Sequence, residues 1–237
     1  MATPTQSRFR TAITRREAKD IRMNTFDIAF FSQTPFSIGT DGLGSCSVVL
    51  IVSPYAALLG HVSPLPDNAN PNDPFAGDNH VRSFMDRLMQ YYLQYQQYFP
   101  KSPHSWVVCA VHHDRVALPD QQRIMETKLR DVGLNVDISR TYPVSTLIDH
   151  LDGGSVFVDA GGSTVQVYVE DTVIQEIPKA STSTASQSYT PTPSTTTAPQ
   201  SQQQSQHTQQ TSSEWTWSTE HEAYYKWVGT EVHWAPR

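Results

Sequence analysis

The stretch that decides the fold is "GTDGLGSCSVVLIVSPYAALLGHVSP", residues 39–64. Its centre, "SVVLIV", is a continuous β-branched and apolar run, the pattern of a strand buried on both faces. Ser53 and Pro54 break the run, and "LLGHVSPL" resumes it as a shorter strand. Pro54 lies eight residues after Cys46 and seven before His61. With the turn so near the midpoint, antiparallel pairing brings Cys46 and His61 side by side.

Working outward, "NTFDIAFF" and "HSWVVCAVHH" read as further strands, and "LNVDIS", "GSVFVDA" and "TVQVYVEDTVIQEI" as more. The segment "PDNANPNDPFAGDN" is a loop by composition. In "HVRSFMDRLMQYYLQYQQYF", Phe84, Leu88, Tyr91, Tyr92, Tyr95 and Phe99 recur every three or four residues, which predicts an amphipathic helix with an aromatic core face. A second helix is expected over "LPDQQRIMETKLRDVG", with Pro119 in its first turn and Gly133 at its C-terminal cap. One mixed β-sheet with two main helices packed on it accounts for residues 26–179, an α/β arrangement of the α+β sandwich kind.

The ends differ in composition. Residues 1–25 read as a basic disordered leader, within which Met23 is an alternative start. Residues 180–213 are Ser, Thr, Gln and Pro with almost no aliphatic side chain, a low-complexity disordered linker. Residues 214–237 hold four of the five tryptophans and read as a docking segment for a partner. A net charge of −6 and a pI near 5.8 speak against nucleic-acid binding. No apolar stretch is long enough to span a bilayer. Two cysteines make no disulfide framework, and the N-terminal segment has no secretory apolar region, so a reducing, cytoplasmic compartment is expected. The basic Ser/Thr-containing leader offers a mitochondrial alternative, which Glu17 and Asp20 oppose.

The two cysteines read differently. Cys109, in the middle of "WVVCAVH", is expected in the core. Cys46 opens its strand directly after "GLGS". Backbone N–H groups of such a turn around Gly44, Ser45 and Cys46 can receive an oxyanion while the thiol attacks a carbonyl. A thiol needs a base nearby to act as a nucleophile, and His61 is the candidate. The alternative for His61 is a partly buried histidine that satisfies a backbone carbonyl. "VHHD" at 111–114 offers metal-binding side chains, but neighbouring residues of a strand point to opposite faces, so no metal site and no cofactor are expected.

The run "TDGLGSC…GHVSPLP" resembles the chemoreceptor glutamine deamidase (CheD) family. There a threonine precedes a Gly-Leu-Gly-Ser-Cys turn, an apolar strand and a histidine segment ending in Leu-Pro. Thr40, Gly42 to Cys46, His61 and Leu65-Pro66 carry the likeness, and "GGSVFVDAGGSTVQVYVE" is similar to the family's closing hairpin. The interval from Cys46 to His61 is closer to that of deamidase toxins related to cytotoxic necrotizing factor. The resemblance, over roughly residues 26–177, implies a protein-glutamine deamidase with Cys46 as nucleophile, His61 as acid and base, and Thr40 orienting the imidazole. It implies a protein substrate with an exposed glutamine and no cofactor. A scaffold role is the alternative, with the tail, similar to a WW-type module, recognising a partner.

Overall fold

The computed structural model describes residues 7–100, 102–144 and 154–180 in full and the backbone of 216–218, 223–228 and 231–234. The chain divides into two units, Met1–Thr184 and Ala185–Arg237. The first begins with α1 (Arg8–Thr14), β1 (Ala18–Asp20), β2 (Thr25–Phe30), β3 (Ser37–Thr40), β4 (Ser47–Val52) and β5 (Ala56–Val62). It continues through α2 (Ala76–Gln94), β6 (His104–His112), β7 (Arg115–Val116), α3 (Pro119–Asp131), β8 (Arg140–Pro143), β9 (Val156–Asp159), β10 (Thr164–Val169) and β11 (Thr172–Pro178).

The class is α+β, and its strands form two facing sheets rather than one. The first runs β2-β5-β4-β6-β7, with β8 also on β6; the second runs β1-β3-β9-β10-β11. The run "SVVLIV" alternates between two cores as a two-sided strand must. Val48, Leu50 and Val52 face the second sheet, where they meet Val156, Val158, Val165 and Val167. Val49 and Ile51 face α2 and α3. The periodic face of α2 supplies Val81, Phe84, Leu88 and Tyr92 to that outer core, and α3 adds Met125 and Leu129. A single sheet cannot hold these strands: two large apolar faces, each already complete, need two covers.

The N-terminal segment corrects the expectation of a disordered leader. From Ser7 onward it is built into the domain. The Ser7 hydroxyl caps α1 by accepting from the Arg10 N–H at 3.2 Å. Phe9 is 1% exposed and packs on Phe157 of the second sheet, ring centroids 5.6 Å apart. β1 pairs in parallel with β3, Ala18 opposite Ser37. Short and charged, the segment lacks a periodic apolar run, and its few apolar residues work because a sheet face lies ready beneath them.

Two smaller expectations also shift. "LNVDIS" holds only an isolated bridge, Val136 to Ser105, and the strand proper starts at Arg140. "TVQVYVEDTVIQEI" is two strands folded at Glu170 and Asp171, both with positive φ. In the second unit, β12 (Thr216–Ser218), β13 (Ala223–Val228) and β14 (Glu231–Trp234) form an antiparallel three-stranded sheet. Residues 1–6, the proposed linker beyond Ala180 and the tail's side chains lie outside the described residues.

Candidate active site

β4 and β5 are antiparallel neighbours, with Val48 opposite His61 and Ser47 opposite Val62. Carried one residue on, that register sets Cys46 opposite Ser63, so Cys46 and His61 are diagonal rather than directly opposed. Diagonal neighbours on one face sit about 7–8 Å apart, and among the described residues no hydrogen bond joins the Cys46 thiol to the His61 ring. Both are buried, Cys46 at 7% and His61 at 4% exposure. Cys46 belongs to the layer between the sheets, whereas Cys109 faces the helices. The two thiols therefore lie on opposite faces of one sheet, and both are free.

Thr40 comes from the other sheet. Its hydroxyl donates to the Ile21 carbonyl at 2.7 Å and lies 2.8 Å from His61 Nδ1. A hydroxyl has one proton. Given to a carbonyl, that proton leaves Thr40 as the acceptor from His61, so Nδ1 carries the ring proton. Nε2 then holds a lone pair, and among the described residues it is buried without a hydrogen-bond partner. The Ile21 carbonyl also acts on the ring, as the alternative of a histidine satisfying a backbone carbonyl would have it, and neither it nor Thr40 occupies Nε2.

Burial sets the resting charge state. It pushes the Cys46 thiol up to about 11. It lowers His61 below its usual 6.5, with the Ile21 carbonyl and Asp20 opposing. The pair rests as thiol and neutral imidazole. Cys109 is pushed to about 11 as well, chiefly by burial, so position and not acidity separates the two thiols.

The turn before Cys46 has Gly42 and Gly44 at positive φ, 64° and 56°, the conformation glycine adopts without strain. The Cys46 N–H donates to the Leu43 carbonyl at 2.7 Å, which takes it out of the expected oxyanion set. Gly44 and Ser45 are exposed, and among the described residues their N–H groups have no hydrogen-bond partner.

Three residues near the site escaped the sequence. Ile21 acts through its carbonyl, which no side-chain pattern reveals. Asn24, at φ 63°, donates its N–H to the His61 carbonyl at 2.7 Å and accepts from the Ser63 N–H at 3.0 Å. Asparagine tolerates that left-handed geometry, and "MNT" before a strand was its only signal. Tyr142 donates to the Cys46 carbonyl at 2.6 Å.

At 111–114, β6 ends at His112 and His113 opens the turn, so the two ring centroids lie 4.1 Å apart instead of on opposite faces. Among the described residues no group of three potential ligands forms there or elsewhere. Among the same residues no helix is long and apolar enough to cross a membrane.

Fold and site together define a class: an α+β sandwich with a cysteine on a glycine turn and, one strand away, a histidine hydrogen-bonded to a threonine. Compared with known proteins, the chain matches no family model and no curated protein.

Proposed function

We propose that the chain is a cysteine amidohydrolase that converts the side-chain amide of a protein glutamine to a carboxylate. The observation that carries this is the unpartnered Nε2 of His61, held as a base by Thr40 on the face that also bears Cys46. His61 Nε2 takes the thiol proton as Cys46 Sγ attacks the amide carbon. The tetrahedral oxyanion faces the Gly44 and Ser45 N–H groups. Nε2 returns the proton to the leaving nitrogen, ammonia departs and a thioester remains. Water then attacks the thioester while Nε2 accepts its proton. Cys46 leaves as thiol and the product is glutamate.

Because the thiol rests protonated, attack and proton transfer are coupled, and a general base is required rather than a preformed ion pair. A reducing surrounding keeps a catalytic thiol available, so the cytoplasm is the proposed location. The donor set needs no metal or cofactor for this reaction. Ammonia release and intact mass on glutamine-bearing proteins, with Cys46→Ser as control, test the reading.

A second reading is a binding role through the tail. The antiparallel order β12-β13-β14 favours it, because three antiparallel strands are the frame of a WW-type module. A tail-deleted protein that keeps full turnover on peptides but loses it on protein substrates would join the two readings.

A further inference from the structure

We propose that Tyr142 is a positioning residue for the oxyanion donor: it holds the Gly44 carbonyl inward and thereby aims the Ser45 N–H outward at the reacting carbonyl oxygen. Tyr142 on β8 is registered with Ala110 on β6. β6 pairs with β4 through Val108 and Val48, and that register carried two residues on sets Ala110 beside Cys46. Cys46, Ala110 and Tyr142 thus form one row on the inner face. From there the tyrosine ring reaches back beneath the nucleophile turn.

Its hydroxyl donates to the Cys46 carbonyl at 2.6 Å and shares that proton with the Gly44 carbonyl at 3.2 Å. Two carbonyls of the turn are drawn to one point. In a planar trans peptide the C=O and N–H point in opposite directions. Fixing the Gly44 oxygen inward therefore fixes the N–H of the same peptide, that of Ser45, outward. The unit needs fixing: Gly44 sits at φ 56°, and glycine has more rotational freedom than any other residue. Since Cys46 spends its own N–H on Leu43, the Ser45 N–H is the donor nearest the nucleophile that has no partner among the described residues.

The ring itself cannot swing away. Tyr142 is 1% exposed. Gly154, at φ 76°, lies so close that an added Cβ would come within 2.5 Å of the Tyr142 ring and 2.9 Å of Leu43 Cβ. The Gly154 carbonyl accepts the Leu43 N–H at 3.2 Å, closing the turn from the other side. Burial raises the phenol well above its usual range, so it remains a donor at every working pH.

The role as donor-positioner rests on the cysteine chemistry proposed above, but its test needs no glutamine. Acetylation of Cys46 by p-nitrophenyl acetate passes through an oxyanion: sulfur bonds to the carbonyl carbon, nitrophenolate leaves and an acetyl thioester forms. Alkylation by iodoacetamide displaces iodide at a saturated carbon and forms none. In Tyr142→Phe, acetylation should slow by about tenfold or more, the scale of a misplaced oxyanion donor, while alkylation stays within about twofold of wild type. 3-Fluorotyrosine at position 142 keeps the ring and strengthens the donor, and should hold acetylation at or above the wild-type rate with alkylation unchanged. Rates that fall together in Tyr142→Phe, or that both hold, overturn the proposal. Should Tyr142→Phe fail to fold, the fluorotyrosine protein decides, and slower acetylation in it is the contrary result. Wild-type acetylation without glutamine turnover would sink the substrate reading alone; no acetylation of wild-type Cys46 would sink both.

Discussion

Thr40 Oγ1 stands 2.8 Å from His61 Nδ1 and hands its own proton to the Ile21 carbonyl. The contact joins the two sheets, since Thr40 lies on β3 and His61 on β5. It also selects a tautomer. The chain from Ile21 through Thr40 to His61 ends in the unpartnered Nε2, and the proposed chemistry depends on that end.

Thr40→Val replaces the hydroxyl by a methyl of similar size. The buried Nδ1–H then loses its acceptor, at a cost of about 1–3 kcal/mol. Turnover should fall on the order of tenfold to a hundredfold, because the ring is free to turn and to change tautomer. Thr40→Ser should restore both. Thermal melts beside ammonia release check this, and wild-type turnover in Thr40→Val would remove Thr40 from the site.

The N-terminal segment should be essential. A chain starting at Met23 lacks Phe9, β1 and the Ile21 carbonyl that receives Thr40. Phe9→Ala alone should cost about 3–5 kcal/mol in urea unfolding. The Met23-start protein should lose turnover even where it folds. Full activity in it would show that Thr40 orients His61 without Ile21.

The pH dependence follows from the two shifts. With Cys46 pushed up to about 11, its thiolate fraction climbs steadily through neutral and alkaline pH. Iodoacetamide labelling of Cys46 should therefore rise with pH without a plateau near neutrality, and should precede labelling of Cys109, which faces the helices. His61 must be neutral to accept a proton. Burial lowers its pKa below that of an ordinary histidine, so the acid limb of turnover should lie on the acid side of the usual histidine range. A plateau in labelling near neutral pH would reveal a resting thiolate–imidazolium pair and contradict the general-base account.

The domain should fold without the tail. Its last anchors are the Lys179 N–H to the Ser163 carbonyl at 3.1 Å and the Ala180 N–H to the Pro54 carbonyl at 3.2 Å. A chain ending at Thr184 should unfold in one cooperative transition at the wild-type midpoint. Loss of that transition would mean that later residues complete the core.

What the sequence showed is what periodicity can carry. "SVVLIV" announced a strand buried on both sides, and the α2 stripe announced its packing face. Cys46 and His61 stood out because one turn of known position lies between them. The second sheet was hidden because its strands, Val156–Asp159 above all, are short and look the same whether they join one sheet or face it. α1 and β1 were hidden because seven and three residues hold too few apolar positions to show a period. Ile21 and Tyr142 contribute through one carbonyl and one hydroxyl placed by tertiary structure, and no local pattern encodes such contacts.

The central claim is that Cys46 attacks a glutamine side-chain amide with His61 as acid and base. The most direct measurement is incubation with benzyloxycarbonyl-Gln-Gly, an acid quench, intact mass and a parallel ammonia assay. The account predicts an acyl adduct confined to the Cys46 peptide and ammonia release in the wild type. Cys46→Ser should show neither, and His61→Ala should be slower by on the order of a hundredfold with an unchanged melt. Ammonia release that persists in Cys46→Ser, or an adduct carried by Cys109, would contradict it.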